Sequence, residues 1–198
     1  SELIHDGDCV QFGLGGTPSA VAAALTDKHD LGIHTEMLGN AMINLIRSGA
    51  VTNRRKTLHP GKTVCAFFLG DEDAVDFLEN TPDVMFRPAA YTNHPATIAR
   101  NENMVSVNTT LQVDLLGQVS SESIGSRQYS GTGGAMDFAY GAHNAPNGRS
   151  IIAVNATAKG GSLSRISAAL PVGSAVSIPR NIVDYVVTEF GIARLRNC

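Results

Sequence analysis

The chain has 198 residues, of which 43% are hydrophobic and only 17% charged, and its net charge is −3. That length suffices for one large domain that buries its own core, and so apolar a composition argues for a sizeable core or a subunit interface. No long run of one charge sign and no apolar stretch of bilayer-spanning length is present, so the sequence points to neither a nucleic-acid nor a membrane partner. Cys9, Cys65 and Cys198 are odd in number, far apart and form no CxxC pair. A disulfide framework or zinc knuckle is therefore not expected, and a reducing, cytoplasmic setting fits. The opening SELIHDGDCV has neither the basic nor the apolar part of a signal peptide.

In chain order, CVQF at 9–12 reads as a strand, GLGG at 13–16 as a turn, and Pro18 as the opening of a helix through SAVAAAL. DLGIHT reads as a strand that ends just before Glu36, with a helix to follow. That helix is NAMINLIRSG at 40–49, Asn40 a candidate cap and Gly49 a stop. TVCAFFL at 63–69 is a strand; DAVDFLEN at 73–80 and PATIARN at 95–101 are helical candidates. MVSVN at 104–108 and LQVDLLGQV at 111–119 read as strands, and residues 104–119 as containing an antiparallel pair. SGTGG at 130–134 precedes a helix at AMDFAYGA; SIIAV at 150–154, AVSI at 175–178 and DYVVTEF at 184–190 are further strands, with KGG at 159–161 a turn. Alternation of this kind gives an α/β fold, a mixed, largely parallel sheet flanked by helices. No repeat, low-complexity tract or linker divides it, so residues 1–198 form one domain.

Ligands of α/β sheets gather at the carboxyl ends of strands, and four polar features lie at such places. Glu36 is either a carboxylate near a helix N-terminus, worth under about 1 kcal/mol there, or a base or nucleophile. The glycines of Ser130–Gly134 either make a tight turn or let backbone N–H groups approach an oxyanion or phosphate. Asn93, before a proline that opens a helix, is a candidate cap. Glu189 falls at the end of a strand read as buried, where a carboxylate needs a partner or a cleft. None of the six histidines makes an HxxxH or HExxH pair, so no metal site is expected. GxSxG, GxGxxG and GxxxxGK[ST] are all absent, which argues against a serine hydrolase and a nucleotide site.

Longer strings say more. DLGIHTEM, the GAVTN–RKTLHPGK block, AYTNHPATIARNENMVSVNTTLQVDLLGQVSSESIG, YSGTGGAMDF, NATAKGG–SRI and DYVVTEFGIA follow one another in this order. Together they resemble the C-terminal half of the acetyl-CoA hydrolase/transferase family, the family I CoA-transferases, and within it the 4-hydroxybutyrate and butyryl-CoA:acetate enzymes. The resemblance implies a CoA-transferase domain, of a fold related to sugar-phosphate isomerases. It also implies ping-pong transfer of CoA from an acyl-CoA to a short carboxylate such as acetate, through a glutamyl-CoA thioester. Glu36 of HTEM is then the nucleophile, and an amide of Gly133 or Gly134 the oxyanion donor. Asn93, Gly131, Thr132, Lys159, Gly160 and Glu189 are implied contacts of the bound CoA or acyl group. Coenzyme A enters as substrate, and no metal is implied. Family members have a preceding N-terminal domain, so this chain implies a missing half, a separate subunit or a homo-oligomer such as a dimer. After HTEM the family often has Asp-Gly where Asn40-Ala41 stand here. Hydrolysis on the same scaffold and a non-catalytic CoA-binding domain are the competing readings, with a sugar-phosphate isomerase a remote third.

Overall fold

A computed structural model describes residues 2–196, so Cys198 lies outside the described residues. Strand β1 (Cys9–Phe12) runs through a glycine turn into helix α1 (Gly16–Ala23). β2 (Gly32–Gly39), α2 (Asn40–Arg47), β3 (Thr63–Leu69), α3 (Glu72–Glu79) and β4 (Val84–Phe86) continue the strand–helix alternation. Two single-turn helices, α4 (Ala89–Thr92) and α5 (Pro95–Ile98), lead into β5 (Met104–Asn108). The short strands β6 (Gln112–Asp114), β7 (Val119–Ser120), β8 (Ser123–Ile124) and β9 (Arg127–Gln128) precede α6 (Ala135–Asn144). β10 (Arg149–Ala153) re-enters the main sheet, β11 (Thr157–Ala158), β12 (Leu163–Ser164) and β13 (Ile166–Ser167) leave it, and β14 (Tyr185–Thr188) and β15 (Gly191–Arg194) finish it.

Eight strands form the main sheet in the order β15-β14-β10-β5-β1-β2-β3-β4. Every pair is parallel except β14 with β15. The mixed α/β class expected from the sequence is what the chain adopts. Helices on both faces bury the central strands, and all five residues of β5 are buried. Alternate residues serve two cores. Val10, Ile33, Val105 and Val107 pack with Ala22, Met42 and Leu45 from α1 and α2. On the opposite face Cys9 and Met104 pack with Ile98, Phe138 and Ala142 from α5 and α6.

The structure corrects three expectations of the sequence. β2 does not end before Glu36: it runs on to Gly39 because β3 pairs with it through Phe67, Phe68 and Leu69. Residues 175–178 are no strand. Only Ile178 bridges to Val119, in a segment bounded by Pro171 and Pro179, which have no N–H to give a ladder. Asn40 is the first helical residue of α2, not its cap, and its side chain bonds Asp71 instead. The antiparallel pair read within residues 104–119 corresponds to β6 with β7, which extends to Ser120, while β5 is a parallel member of the main sheet.

Candidate active site

β1 and β2 pair only at Cys9–Gly32 and Val10–Ile33, then part. A cleft of about 460 Å³ opens beyond that point, at the carboxyl ends of β5, β1 and β2. The chain order reverses about β1, which is where open α/β sheets place their ligands. Gln11, Gly13, Glu36, Asn108 and the Ser130–Gly134 loop line the cleft, and Phe12, Leu14, Met37 and Phe67 give it an apolar wall.

Strand alternation puts His34 and Glu36 on the face that meets α5 and α6. The half-buried Glu36 carboxylate, through Oε2, accepts the Gly134 backbone N–H at 3.1 Å. Gly134 is the residue before α6 and has an ordinary backbone, φ −90° and ψ 4°. What requires glycine there is space. A Cβ would overlap Glu36 Oε2 and stand 2.6 Å from Asn93 Nδ2 and 3.0 Å from Glu36 Cδ. Gly133, by contrast, has φ +55° and open surroundings, so its glycine answers a left-handed turn.

Asn93 closes α4, and the residue before α5 is His94, so Asn93 is not the cap of that helix. Its Oδ1 accepts the Thr92 hydroxyl at 3.1 Å, and its Nδ2 stands beside Gly134 and Glu36. Asp137, in the first turn of α6, is the second carboxylate near Glu36. Burial and the Glu36 charge push its carboxyl up, and His94 pulls it back. Beneath Glu36, His34 is fully buried; burial is the main cause that takes its ring down to about 4, so it is neutral.

The cleft floor is polar where a parallel strand is ordinarily apolar. Gln11 and Asn108, each 4% exposed, exchange two amide hydrogen bonds of 3.2 and 3.3 Å across β1 and β5. Asn108 Nδ2 also donates to Ser106 Oγ at 2.9 Å. Among the described residues no group of three or more His, Cys, Asp or Glu side chains is placed to hold a metal ion. The arrangement offers a fixed carboxylate, a backbone N–H aimed at it, two side-chain amides and an apolar wall. That combination suits attack on, and stabilisation of, an acyl carbonyl.

The acetyl-CoA hydrolase/transferase C-terminal domain matches residues 70–198, more than half of the chain. The chain belongs to the acetyl-CoA hydrolase/transferase family. A succinyl-CoA:cyclohexane-1-carboxylate CoA transferase of Geobacter metallireducens is 50% identical over 99% of the chain and 45% of its own length. A 4-hydroxybutyrate coenzyme A transferase of Clostridium kluyveri is 47% identical over 99% of the chain and 46% of its length. The chain thus spans about half the length of the curated relatives it matches. Among solved structures, RipA of Yersinia pestis superposes with a TM-score of 0.94 at 44% identity, covering all of this chain and 44% of RipA. A 4-hydroxybutyrate CoA-transferase of Porphyromonas gingivalis gives 0.86 at 42% identity, covering all of this chain and 46% of that one.

Of the residues singled out in the sequence of this family member, Glu36, Asn93, Gly131, Thr132, Gly133 and Gly134 come together at the cleft. Lys159 and Gly160 stand apart in an exposed 3₁₀ turn between β11 and β12. Glu189 is not at a buried strand end. It is exposed, one residue past β14, and its carboxylate takes the Ala156 N–H at 2.8 Å. Gln11, Asn108 and His34 were missed as site residues. For the first two the signal was a polar residue inside the runs CVQF and MVSVN. For His34 there was none beyond its place in HTEM.

Proposed function

We propose that this chain is the nucleophile-bearing, C-terminal part of a CoA-transferase acting on short-chain acyl-CoAs and carboxylates. The observation that carries the reading is the Glu36 carboxylate in the cleft with the Gly134 N–H on it at 3.1 Å and the Asn93 amide alongside. Glu36 attacks the acyl-CoA carbonyl, giving a mixed anhydride and CoA thiolate. The thiolate attacks the Glu36 carbonyl, giving a glutamyl-CoA thioester and the free donor acid. An acceptor carboxylate attacks that thioester, forming a second anhydride and releasing thiolate. The thiolate takes the acceptor's acyl group, and Glu36 is restored as carboxylate.

The Gly134 N–H serves the chemistry at its expensive point. It donates to an oxygen of Glu36 at rest and to the same oxygen as negative charge gathers on it in the glutamyl steps. Donors of this kind are worth roughly 3 kcal/mol. The apolar wall keeps water from the activated intermediates. The other half of the site comes from an N-terminal domain, a partner subunit or a second copy of the chain. Lys159, Gly160 and Glu189 belong, in this proposal, to the outer CoA contacts.

Hydrolysis is the second reading, because an acetyl-CoA hydrolase of Kluyveromyces lactis is also similar, at 28% identity over 94% of the chain. In it, water replaces the acceptor acid. The test is intact mass of the protein as its source makes it, before and after butyryl-CoA. A CoA or acyl adduct on the Glu36 peptide, absent in Glu36→Gln, supports the transferase route, and CoA release without acetate favours hydrolysis. A protein that binds CoA but forms no adduct under trapping conditions refutes the nucleophile.

A further inference from the structure

His34 is fully buried two residues before Glu36, on the same face of β2. Its Nε2 stands 2.9 Å from the Thr92 carbonyl oxygen. A carbonyl only accepts, so Nε2 carries the proton and Nδ1 does not. Nδ1 is buried with no partner. Packing alone does not explain a histidine here, since phenylalanine fills a similar space without stranding a polar atom.

The connections of His34 lead to each arm of the cleft. Thr92, whose carbonyl accepts the His34 Nε2–H, donates its hydroxyl to Asn93 Oδ1 at 3.1 Å. That bond decides which way the Asn93 amide faces and sends Nδ2 toward Gly134 and Glu36. The His34 ring also lies 6.2 Å from the Phe138 ring, tilted 53° to it. Phe138 N–H in turn donates to the Gly134 carbonyl at 3.0 Å. One imidazole thereby ties the strand of Glu36 to the turn of Asn93 and to the helix that follows Gly134.

We infer that His34 is a positioning residue, holding the Asn93 amide and the Gly134 N–H in register with Glu36 through Thr92 and Phe138. The inference deepens the transferase reading and rests on it. It is tested by the rate of adduct formation on Glu36 with butyryl-CoA, in the protein as its source makes it. His34→Phe keeps the ring and loses the donor. Its rate is expected to fall roughly 10- to 100-fold, the effect of about 1 Å of misplacement, with half-saturating butyryl-CoA changed less than about threefold. His34→Gln returns an N–H near the Nε2 position and recovers about fivefold or more of the loss. Thr92→Val removes only the hydroxyl; its rate falls roughly 5- to 20-fold at a near-unchanged melting temperature.

A folded His34→Phe within twofold of the unsubstituted rate overturns the inference, as does a His34→Gln no faster than His34→Phe. Should His34→Phe fail to fold, Thr92→Val decides: an unchanged rate overturns the inference. Absence of any adduct in the unsubstituted protein removes the nucleophile reading and this one with it. An adduct whose rate none of the three variants alters removes only this one.

Discussion

Gly134→Ala tests the chemistry of the site apart from the folding of the chain. The backbone at Gly134, φ −90° and ψ 4°, accepts alanine. The new methyl overlaps Glu36 Oε2 and stands 2.6 Å from Asn93 Nδ2. Carbon and nitrogen rest at roughly 3.5 Å, so the Asn93 amide and the Glu36 carboxylate must each give way by about 1 Å. Both are ends of side chains and can swing, so the fold survives. Lower backbone entropy in the unfolded chain even favours the folded form by roughly 0.4–1 kcal/mol. The chemistry does not survive as well. A displacement of 1 Å is worth about 100-fold, or roughly 2.7 kcal/mol of barrier. Thermal melting together with quenched-flow mass spectrometry of the Glu36 adduct measures both sides. The expected result is a melting temperature within about 3 °C of the unsubstituted protein and a rate lower by about 100-fold. Gly133→Ala is the control in the opposite sense. Its φ of +55° and open surroundings predict a loss of roughly 1–2 kcal/mol of stability and a smaller effect on rate. An unimpaired rate in Gly134→Ala refutes the assignment of this glycine.

Other outcomes follow from buried ionisable groups. Asp184 is fully buried, its Oδ1 on His143 Nδ1 at 2.8 Å and its Oδ2 on the Ser150 N–H at 2.9 Å. Asp184→Asn disturbs the bonds to the part-exposed His143 and to the buried Ser150 N–H and should cost roughly 1–3 kcal/mol, a melting temperature lower by about 2–12 °C by calorimetry. His34 titrates at about 4 in the fold against 6.5 free, chiefly through burial. The unfolded chain therefore binds the extra proton between those values, so stability is lost as pH falls from 6.5 toward 4. The loss attributable to this ring is up to about 3 kcal/mol. Urea titrations at several pH values should show a shallower acid slope in His34→Phe; equal slopes contradict a buried neutral ring. Glu36→Gln should leave melting near unchanged while abolishing the adduct, the isosteric amide losing only the attacking charge.

Much of this architecture was legible in the sequence because parallel central strands are marked by local composition. CVQF, TVCAFFL and MVSVN occupy their expected positions as β1, β3 and β5. The two-residue strands β8, β9, β11 and β12 were not legible, since two residues hold no alternation. β15 escaped because Gly191–Arg194 is exposed throughout and exists by pairing with β14. At the site, Glu36 and the Ser130–Gly134 loop stood out as polar or glycine-rich breaks. Their meeting across 98 positions is a property of the fold, as is the contact of His34 with Thr92 across 58. Glu189 misled because its strand stops one residue short, leaving an exposed residue whose carboxylate binds the N–H of the buried loop residue Ala156.

The parting of β1 from β2 has a further consequence. The cleft exists because β1 leaves β2 after Val10, follows β5 to Phe12 and then turns away while β2 continues to Gly39, and that turn is written in residues that carry no chemistry. A side chain on Gly13 would meet Asn108 Oδ1 at 2.5 Å, and Gly15 turns at φ +119°, a conformation closed to other residues. The vacancy is thus guarded by punctuation. Substitutions that let β1 zip onward along β2 would erase the binding volume while every reactive group kept its identity. In this chain, a cleft can be lost by a strand becoming too long.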